Sequence, residues 1–139
     1  MNPYLPRPSY SPDEKTIVIH VRLGDGIWLQ KELDILYDLI RYYQINKDNN
    51  IIVHTNGDIP IDESKNLKIF DKKTHVLQVL SDFIYAQTLV LSFSALGIAA
   101  SWLTDESTTI IAPSHLKDTQ RFQYSKSFMN AQQKNYEKK

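Results

Sequence analysis

The chain has 139 residues, enough for one domain with its own hydrophobic core. Its 16 basic and 16 acidic residues cancel, so there is no overall charge that would favour nucleic acid or an anionic membrane as a partner. The chain contains no cysteine, which excludes disulfide bonds and thiolate metal sites and agrees with a reducing compartment, which we expect to be the cytoplasm.

Residues 1–14 hold four of the six prolines of the chain and show no apolar stretch typical of a signal peptide. Prolines at this density favour an extended backbone. We therefore expect residues 1–14 to form an arm or a linker that contributes nothing to the core.

A buried strand is predicted from Thr16, because five of the six residues in TIVIHV are β-branched or apolar. His20 and Arg22 share one face of this strand, since side chains alternate along it. Gly24 and Gly26 then allow a sharp turn. Two interpretations stay open: an anion site at the carboxyl end of the strand, or an ion pair between Arg22 and Asp25 that closes the turn.

Helical and strand patterns alternate along the rest of the chain. Apolar residues three and four positions apart predict a helix from Leu29 to Tyr43. Two further helices are expected, one capped by Asp71 and containing Val76 to Ile84, and one from Ser94 to Leu103. Short apolar segments predict further strands at 51–55, 67–70, 88–91 and 108–111.

This order of elements predicts an α/β fold. Strands that are apolar throughout, separated by helices, are typical of a parallel sheet buried on both faces. We therefore expect a Rossmann-like, three-layer parallel sheet with helices on both faces. We assign residues 15–119 to this domain and residues 120–139 to a polar, partly helical tail.

The segment from Phe83 to Thr104 has no charged residue and is long enough to span a bilayer. Gln87, Thr88 and several serines interrupt it, however, and no basic cluster flanks it closely. It also divides into a strand, a serine-containing turn and a helix. We therefore predict no membrane span.

Polar and small residues follow several predicted strands, where ligands bind in open parallel sheets. Gly24 follows the first strand. Thr55 is the last residue of the second strand and Asn56 follows it, and the segment Ser92-Phe93-Ser94 follows the fourth strand. That last segment precedes a helix, whose first N–H groups and dipole favour phosphate. A serine there also acts commonly as a helix cap alone, but opposite Arg22 the pattern favours a diphosphate site.

The four histidines lack the spacing of a metal site, and we expect hydrogen-bonded structural roles for His20, His54, His75 and His115. No aspartate or glutamate has an obvious carboxylate partner for acid–base catalysis. Asp25 is expected to orient Arg22 or the turn.

Two motifs resemble a known enzyme family. The segment His20-Val21-Arg22-Leu23-Gly24-Asp25 resembles the HxRxGD-type motif of the fucosyltransferase superfamily that makes α1,2- and α1,6-linkages and O-fucose. Residues 77–103 resemble the later motif of that superfamily, and residues 55–58 fit the loop between them. The resemblance covers residues 16–112 and implies the C-terminal, GDP-fucose-binding half of a GT-B glycosyltransferase that transfers fucose to a glycan hydroxyl without a metal or other cofactor.

The resemblance also implies roles for individual residues. Arg22 contacts the β-phosphate and stabilises the departing GDP, with His20 beside the fucose and Asp25 and Gly24 in the same motif. By the same resemblance, Ser92, Phe93 and Ser94 bind the diphosphate. The guanosine lies near Asp82 or near the loop that contains Thr55 and Asn56.

The chain departs from the family pattern in three ways. Leu23 stands where many relatives carry a second arginine, and Gln30 and Glu32 leave the general base unassigned. The sequence also shows no acceptor-side domain, which a homo-oligomer or a partner subunit could replace. Two alternatives therefore stay open: a non-catalytic nucleotide- or nucleotide-sugar-binding module, and a flavodoxin-like interaction domain.

Overall fold

The fold of the described residues is a five-stranded parallel sheet with helices on both faces. The computed structural model describes residues 3–11, 15–24, 27–92 and 95–111. The elements in chain order are β1 (Thr16–Val21), α1 (Ile27–Ile45), β2 (Asn50–Thr55), β3 (Leu67–Phe70), α2 (Val76–Ile84), β4 (Thr88–Val90), α3 (Ala95–Leu103) and β5 (Thr109–Ile111). This order confirms the predicted α/β fold.

The strands lie in the order β3-β2-β1-β4-β5, and all neighbouring strands run parallel. This is a Rossmann-like arrangement, in which the chain builds outward from β1 on one side and then crosses back to continue on the other side. The direction of building therefore reverses between β1 and β4. The carboxyl ends of these two strands border the crevice where ligands bind in such sheets.

The side chains of the sheet form two separate cores, because neighbouring residues of a strand point to opposite faces. One core lies on the side of α2 and α3, and its members include Val18, Ile52, Leu89, Phe83 and Ala100. The other lies on the side of α1, and its members include Ile19, Val53, Val90, Leu36 and Ile40. All six residues of β1 are buried, which explains why this strand lacks the alternation of a half-exposed one.

The prediction that Asp71 caps α2 was wrong. The Asp71 carboxylate accepts a hydrogen bond from the Lys73 N–H at 2.9 Å, and its carbonyl accepts one from the Thr74 N–H at 3.1 Å. These bonds form a turn before the helix begins. The cap is His75, whose Nδ1 atom accepts a hydrogen bond from the Leu77 N–H at 3.1 Å.

The prediction that residues 1–14 contribute nothing to the core was also wrong, because Tyr10 is buried within it. Residues 6–10, here called the N-terminal strap, lie against α2. The carbonyl of Pro6 accepts a bond from the Ser81 hydroxyl at 2.6 Å, and that of Arg7 accepts one from Gln78 Nε2 at 2.8 Å. Outside regular secondary structure these carbonyls stay available for helix side chains.

In the uncharged segment 83–104 the end of α2 is followed by β4 and α3, which confirms the predicted strand and helix. The predicted serine-containing turn between them lies partly outside the described residues. None of the helices in the described ranges is both long and apolar enough to cross a membrane. The predicted tail at 120–139 and the last residues of the predicted domain lie outside the described residues.

Candidate functional site

The carboxyl ends of β1 and β4 are joined by a hydrogen bond. The main-chain N–H of Arg22, the first residue after β1, donates to the Ser92 hydroxyl at 2.9 Å. Ser92 follows β4 and is 7% exposed, whereas the Arg22 side chain is exposed. The bond therefore sets the start of the loop after β1 while leaving the guanidinium group accessible to a ligand.

A second pair of hydrogen bonds joins this loop to the end of β2. The Leu23 N–H donates to Asn56 Oδ1 at 2.7 Å, and Asn56 Nδ2 donates to the Leu23 carbonyl at 3.0 Å. Leu23 also lies against Gly57, where an added Cβ atom would come within 2.7 Å of Leu23 Cδ1. A side chain at position 57 would therefore require the end of the Leu23 side chain to move, whereas glycine leaves it in place.

The convergence of the three strand ends confirms that the polar residues following β1, β2 and β4 meet at one edge. Arg22, Gly24 and Asn56 are exposed there, whereas Thr55 and Ser92 are buried. The Thr55 hydroxyl donates to the Gly57 carbonyl at 2.9 Å and so shapes the turn after β2. Two of the predicted binding residues, Asn56 and Ser92, thus use their side chains to join the loops, and a third, Thr55, uses its side chain within one turn.

Arg22 forms no ion pair with any residue in the described ranges. The alternative partner, Asp25, lies outside those ranges, as do the predicted binding residues Phe93 and Ser94. A guanidinium group that is exposed and fixed at its main chain is well suited to bind a phosphate or carboxylate through two parallel hydrogen bonds.

His20 is buried behind this edge, on the face of the sheet that carries α2 and α3. Its ring centroid lies 5.1 Å from that of Phe83. Burial, together with the neighbouring charges of His54 and Arg22, lowers the pKa of His20 to about 4. The ring is therefore uncharged at neutral pH, so that Arg22 supplies positive charge to the edge and His20 does not.

Asp82 does not lie where a nucleotide could touch it, which corrects its expected role beside the guanosine. It is 0% exposed and lies under the N-terminal strap. Its carboxylate accepts hydrogen bonds from the Ser9 N–H and the Ser9 hydroxyl, both at 2.7 Å, and from Gln78 Nε2 at 3.1 Å. The carboxylate is thus saturated by groups of the protein itself.

His54 completes the environment of Asp82. Its Nε2 atom lies 2.7 Å from Asp82 Oδ2, and both side chains are almost completely buried. Burial alone raises the pKa of Asp82, but the hydrogen bonds from His54, Ser9 and Gln78 outweigh it and hold the pKa below its usual value. His54 therefore has the hydrogen-bonded structural role that was expected from the sequence.

This pair was not predicted from the sequence, because His54 and Asp82 are 28 residues apart and lie on different elements. One signal was present: Asp82 directly precedes Phe83 within an apolar helix, and an acidic residue that close to a core requires a partner. Nothing in the sequence indicated that Ser9 would be one of them.

A cleft of about 460 Å³ lies at the opposite edge, where β1 and β4 begin. It is lined by residues that the sequence analysis did not predict as site residues, among them Lys15, Ile17, Tyr43 and Thr88. In the described parts of the chain, no group of three or more histidine, aspartate or glutamate residues is arranged to hold a metal ion.

Comparisons with known proteins gave no family for this chain. It matched no protein-family model, and neither a curated protein nor a solved structure showed significant similarity to it. Any function of the chain therefore has to be inferred from its fold, from the geometry of the carboxyl edge and from its sequence motifs.

Proposed function

We propose that the carboxyl edge of β1, β2 and β4 binds the diphosphate of a nucleotide sugar, and that the chain is a fucosyltransferase-like domain that uses GDP-fucose. The observation that supports this most directly is the bond from the Arg22 N–H to the Ser92 hydroxyl. It places an exposed guanidinium group at the crevice between β1 and β4, where the strand order reverses.

The start of α3 supports the same proposal. This helix begins at Ala95, three residues after Ser92, and therefore has its N-terminus at the same edge as Arg22. The first N–H groups of a helix have no partner within the helix and carry a partial positive charge. Together with Arg22 they provide two sources of positive potential for a diphosphate.

In the proposed reaction, a hydroxyl oxygen of a glycan acceptor forms a bond to C1 of fucose, with inversion. The bond between C1 and the β-phosphate oxygen breaks, and GDP leaves with the bonding electrons. Arg22 stabilises the negative charge that grows on the phosphate, which requires no metal or other cofactor. The acceptor proton passes to a base that is not assigned to a residue.

A second candidate is a nucleotide-sugar-binding module without catalysis. The unassigned general base favours it, and Asp82 is not available for that role because it is buried and fully paired. The two candidates share the donor site and differ in turnover. A glycan-acceptor screen with GDP-fucose, read out as GDP release, separates them.

The test of the donor site is isothermal titration of the purified chain with GDP, GDP-fucose and UDP. We expect the guanine ligands to bind and UDP not to bind. Arg22→Ala should weaken GDP binding about 10- to 100-fold, the effect of losing hydrogen bonds to a charged group. Arg41→Ala is the matched control, because Arg41 is an exposed arginine on α1. Equal affinity of the Arg22 variant for GDP would contradict the proposal.

A further inference from the structure

The N-terminal strap is attached to the buried carboxylate of Asp82. Ser9 supplies two of the hydrogen bonds to that carboxylate, one from its N–H and one from its hydroxyl, both at 2.7 Å. The Tyr10 hydroxyl donates to the main-chain carbonyl of Asp82 at 2.7 Å. An ionised carboxylate in a protein interior is stable only when such donors surround it. The position of the strap and the ionisation of the Asp82 carboxylate therefore depend on each other.

The other side of Asp82 binds His54, which belongs to the sheet. Because the carboxylate is ionised at neutral pH, His54 Nε2 carries the proton of the 2.7 Å contact. The His54 ring contacts two aromatic rings, with centroid distances of 5.2 Å to Phe70 and 5.7 Å to Phe83. Its Nδ1 atom is buried and has no hydrogen-bond partner within the described ranges. Asp82 therefore provides the only hydrogen bond described for the orientation of this ring.

His54 in turn lies beside His20. The two residues are partners in the register of β1 and β2, so their side chains share one face of the sheet. Phe83 packs against both rings, at 5.1 Å from His20 and 5.7 Å from His54. His20 is two residues before Arg22, whose main chain bonds to Ser92. A continuous series of contacts thus runs from the strap to the carboxyl edge.

We propose that Asp82 and His54 are positioning residues for the carboxyl edge, and that seating of the N-terminal strap on Asp82 sets the position of His20 and Arg22. Only the identity of the ligand at that edge rests on the proposed function. Release of the strap removes the two Ser9 donors from Asp82. The carboxylate then recruits water or shifts toward its remaining donors, and either change moves His54, Phe83 and the ring of His20.

The experiment compares two single-atom changes in the strap. Ser9→Ala removes one donor to the Asp82 carboxylate, whereas Tyr10→Phe removes a donor to its main-chain carbonyl and leaves the carboxylate intact. Both variants are ¹⁵N-labelled, and the histidine ring nitrogens and the amides of Arg22 and Leu23 are recorded without ligand. Each variant is also titrated to determine the pKa of His20.

We expect Ser9→Ala to shift the ring signals of His54 and His20, the amide signals of Arg22 and Leu23, and the pKa of His20. Tyr10→Phe should leave the His20 and Arg22 signals in place. A shift confined to His54 and the strap, with His20 and Arg22 unchanged, would overturn the inference. Asp82→Asn, which removes the charge but keeps the shape, should enlarge the shifts of Ser9→Ala; if it does not fold, Ser9→Ala decides alone.

A second measurement connects the strap to ligand binding. If the wild-type chain binds GDP, we expect Ser9→Ala to weaken that affinity about fivefold, the lower end of typical coupling between sites, and Tyr10→Phe to have a smaller effect. Equal GDP affinity in Ser9→Ala and wild type would contradict the inference. If the wild type does not bind GDP, the proposed function fails, and the ligand-free histidine signals still decide whether the strap positions the edge.

Discussion

His54 Nε2 lies 2.7 Å from Asp82 Oδ2, and this buried pair joins the end of β2 to α2. The carboxylate also holds the N-terminal strap through Ser9. One side chain therefore links three separate parts of the chain: the strap, the helix and the sheet. The consequences for stability and binding can be measured.

Removal of Asp82 should destabilise the fold strongly. Asp82→Ala leaves His54 and Ser9 buried without their shared acceptor, and loss of one partner of a buried pair costs about 3–5 kcal/mol. Urea denaturation followed by circular dichroism measures this loss. Asp48→Ala is the control, since Asp48 is exposed, and its free energy of unfolding should change by less than about 0.5 kcal/mol. Similar stability of the two variants would show that the pair contributes little.

The stability of the chain should fall as the pH drops from about 6.5 to about 4, because of His20. Its pKa is lowered from 6.5 to about 4 in the folded state, so within this range the unfolded chain binds a proton that the folded chain does not. Relative to pH 4, the uncharged His20 ring stabilises the folded chain by about 3 kcal/mol above pH 6.5, and this stabilisation is lost as the pH falls to about 4. Denaturation of wild type and His20→Phe across this range tests it, and the variant should show the smaller slope.

Asp82 should act in a lower pH range. Its pKa lies below the usual 3.8 in the folded state, so its contribution is present above pH 3.8 and is lost as the pH falls through the lowered folded value. Asp82→Asn should therefore flatten the acid limb of the stability profile. An unchanged acid limb in this variant would indicate that other carboxylates cause acid unfolding.

The strap should contribute to global stability rather than fray independently. Tyr10 is 8% exposed, so Tyr10→Ala leaves a cavity and should cost about 3 kcal/mol, whereas Tyr10→Phe should cost about 1 kcal/mol for its hydrogen bond. Tyr4→Ala is the matched control, because Tyr4 lies just before the strap and is 87% exposed. Thermal unfolding of the three variants ranks them, and equal Tm values for Tyr10→Ala and Tyr4→Ala would contradict the prediction.

Asn56 should control the order of the loop after β1. Asn56→Ala removes both hydrogen bonds to Leu23, and each is worth about 1 kcal/mol. We expect faster hydrogen exchange at the Leu23 amide and weaker GDP binding in this variant. Asn50→Ala, at the other end of β2, should change neither quantity. Unchanged exchange at Leu23 would show that the loop is held without Asn56.

Part of the site was accessible from the sequence because it depends on strand direction. Arg22, Asn56 and Ser92 each follow an apolar strand, and the carboxyl ends of parallel strands meet at one edge. The side-chain roles were less accessible. Thr55, Asn56 and Ser92 resemble ligand-binding residues by position. Asn56 and Ser92, however, bond to the loop after β1, and Thr55 bonds within its own turn.

The sequence alone determined the order of helices and strands and the parallel arrangement of the sheet, because apolar periodicity depends on residues that are close along the chain. Only the tertiary structure decided the partners of Asp82. Ser9 and His54 lie 73 and 28 residues away from it, and no local pattern relates them. They meet because α2 packs on the face of the sheet that includes β2 and the strap lies against α2. That arrangement follows from packing of the two cores as a whole, since a buried carboxylate is tolerated only where the completed fold brings its donors together.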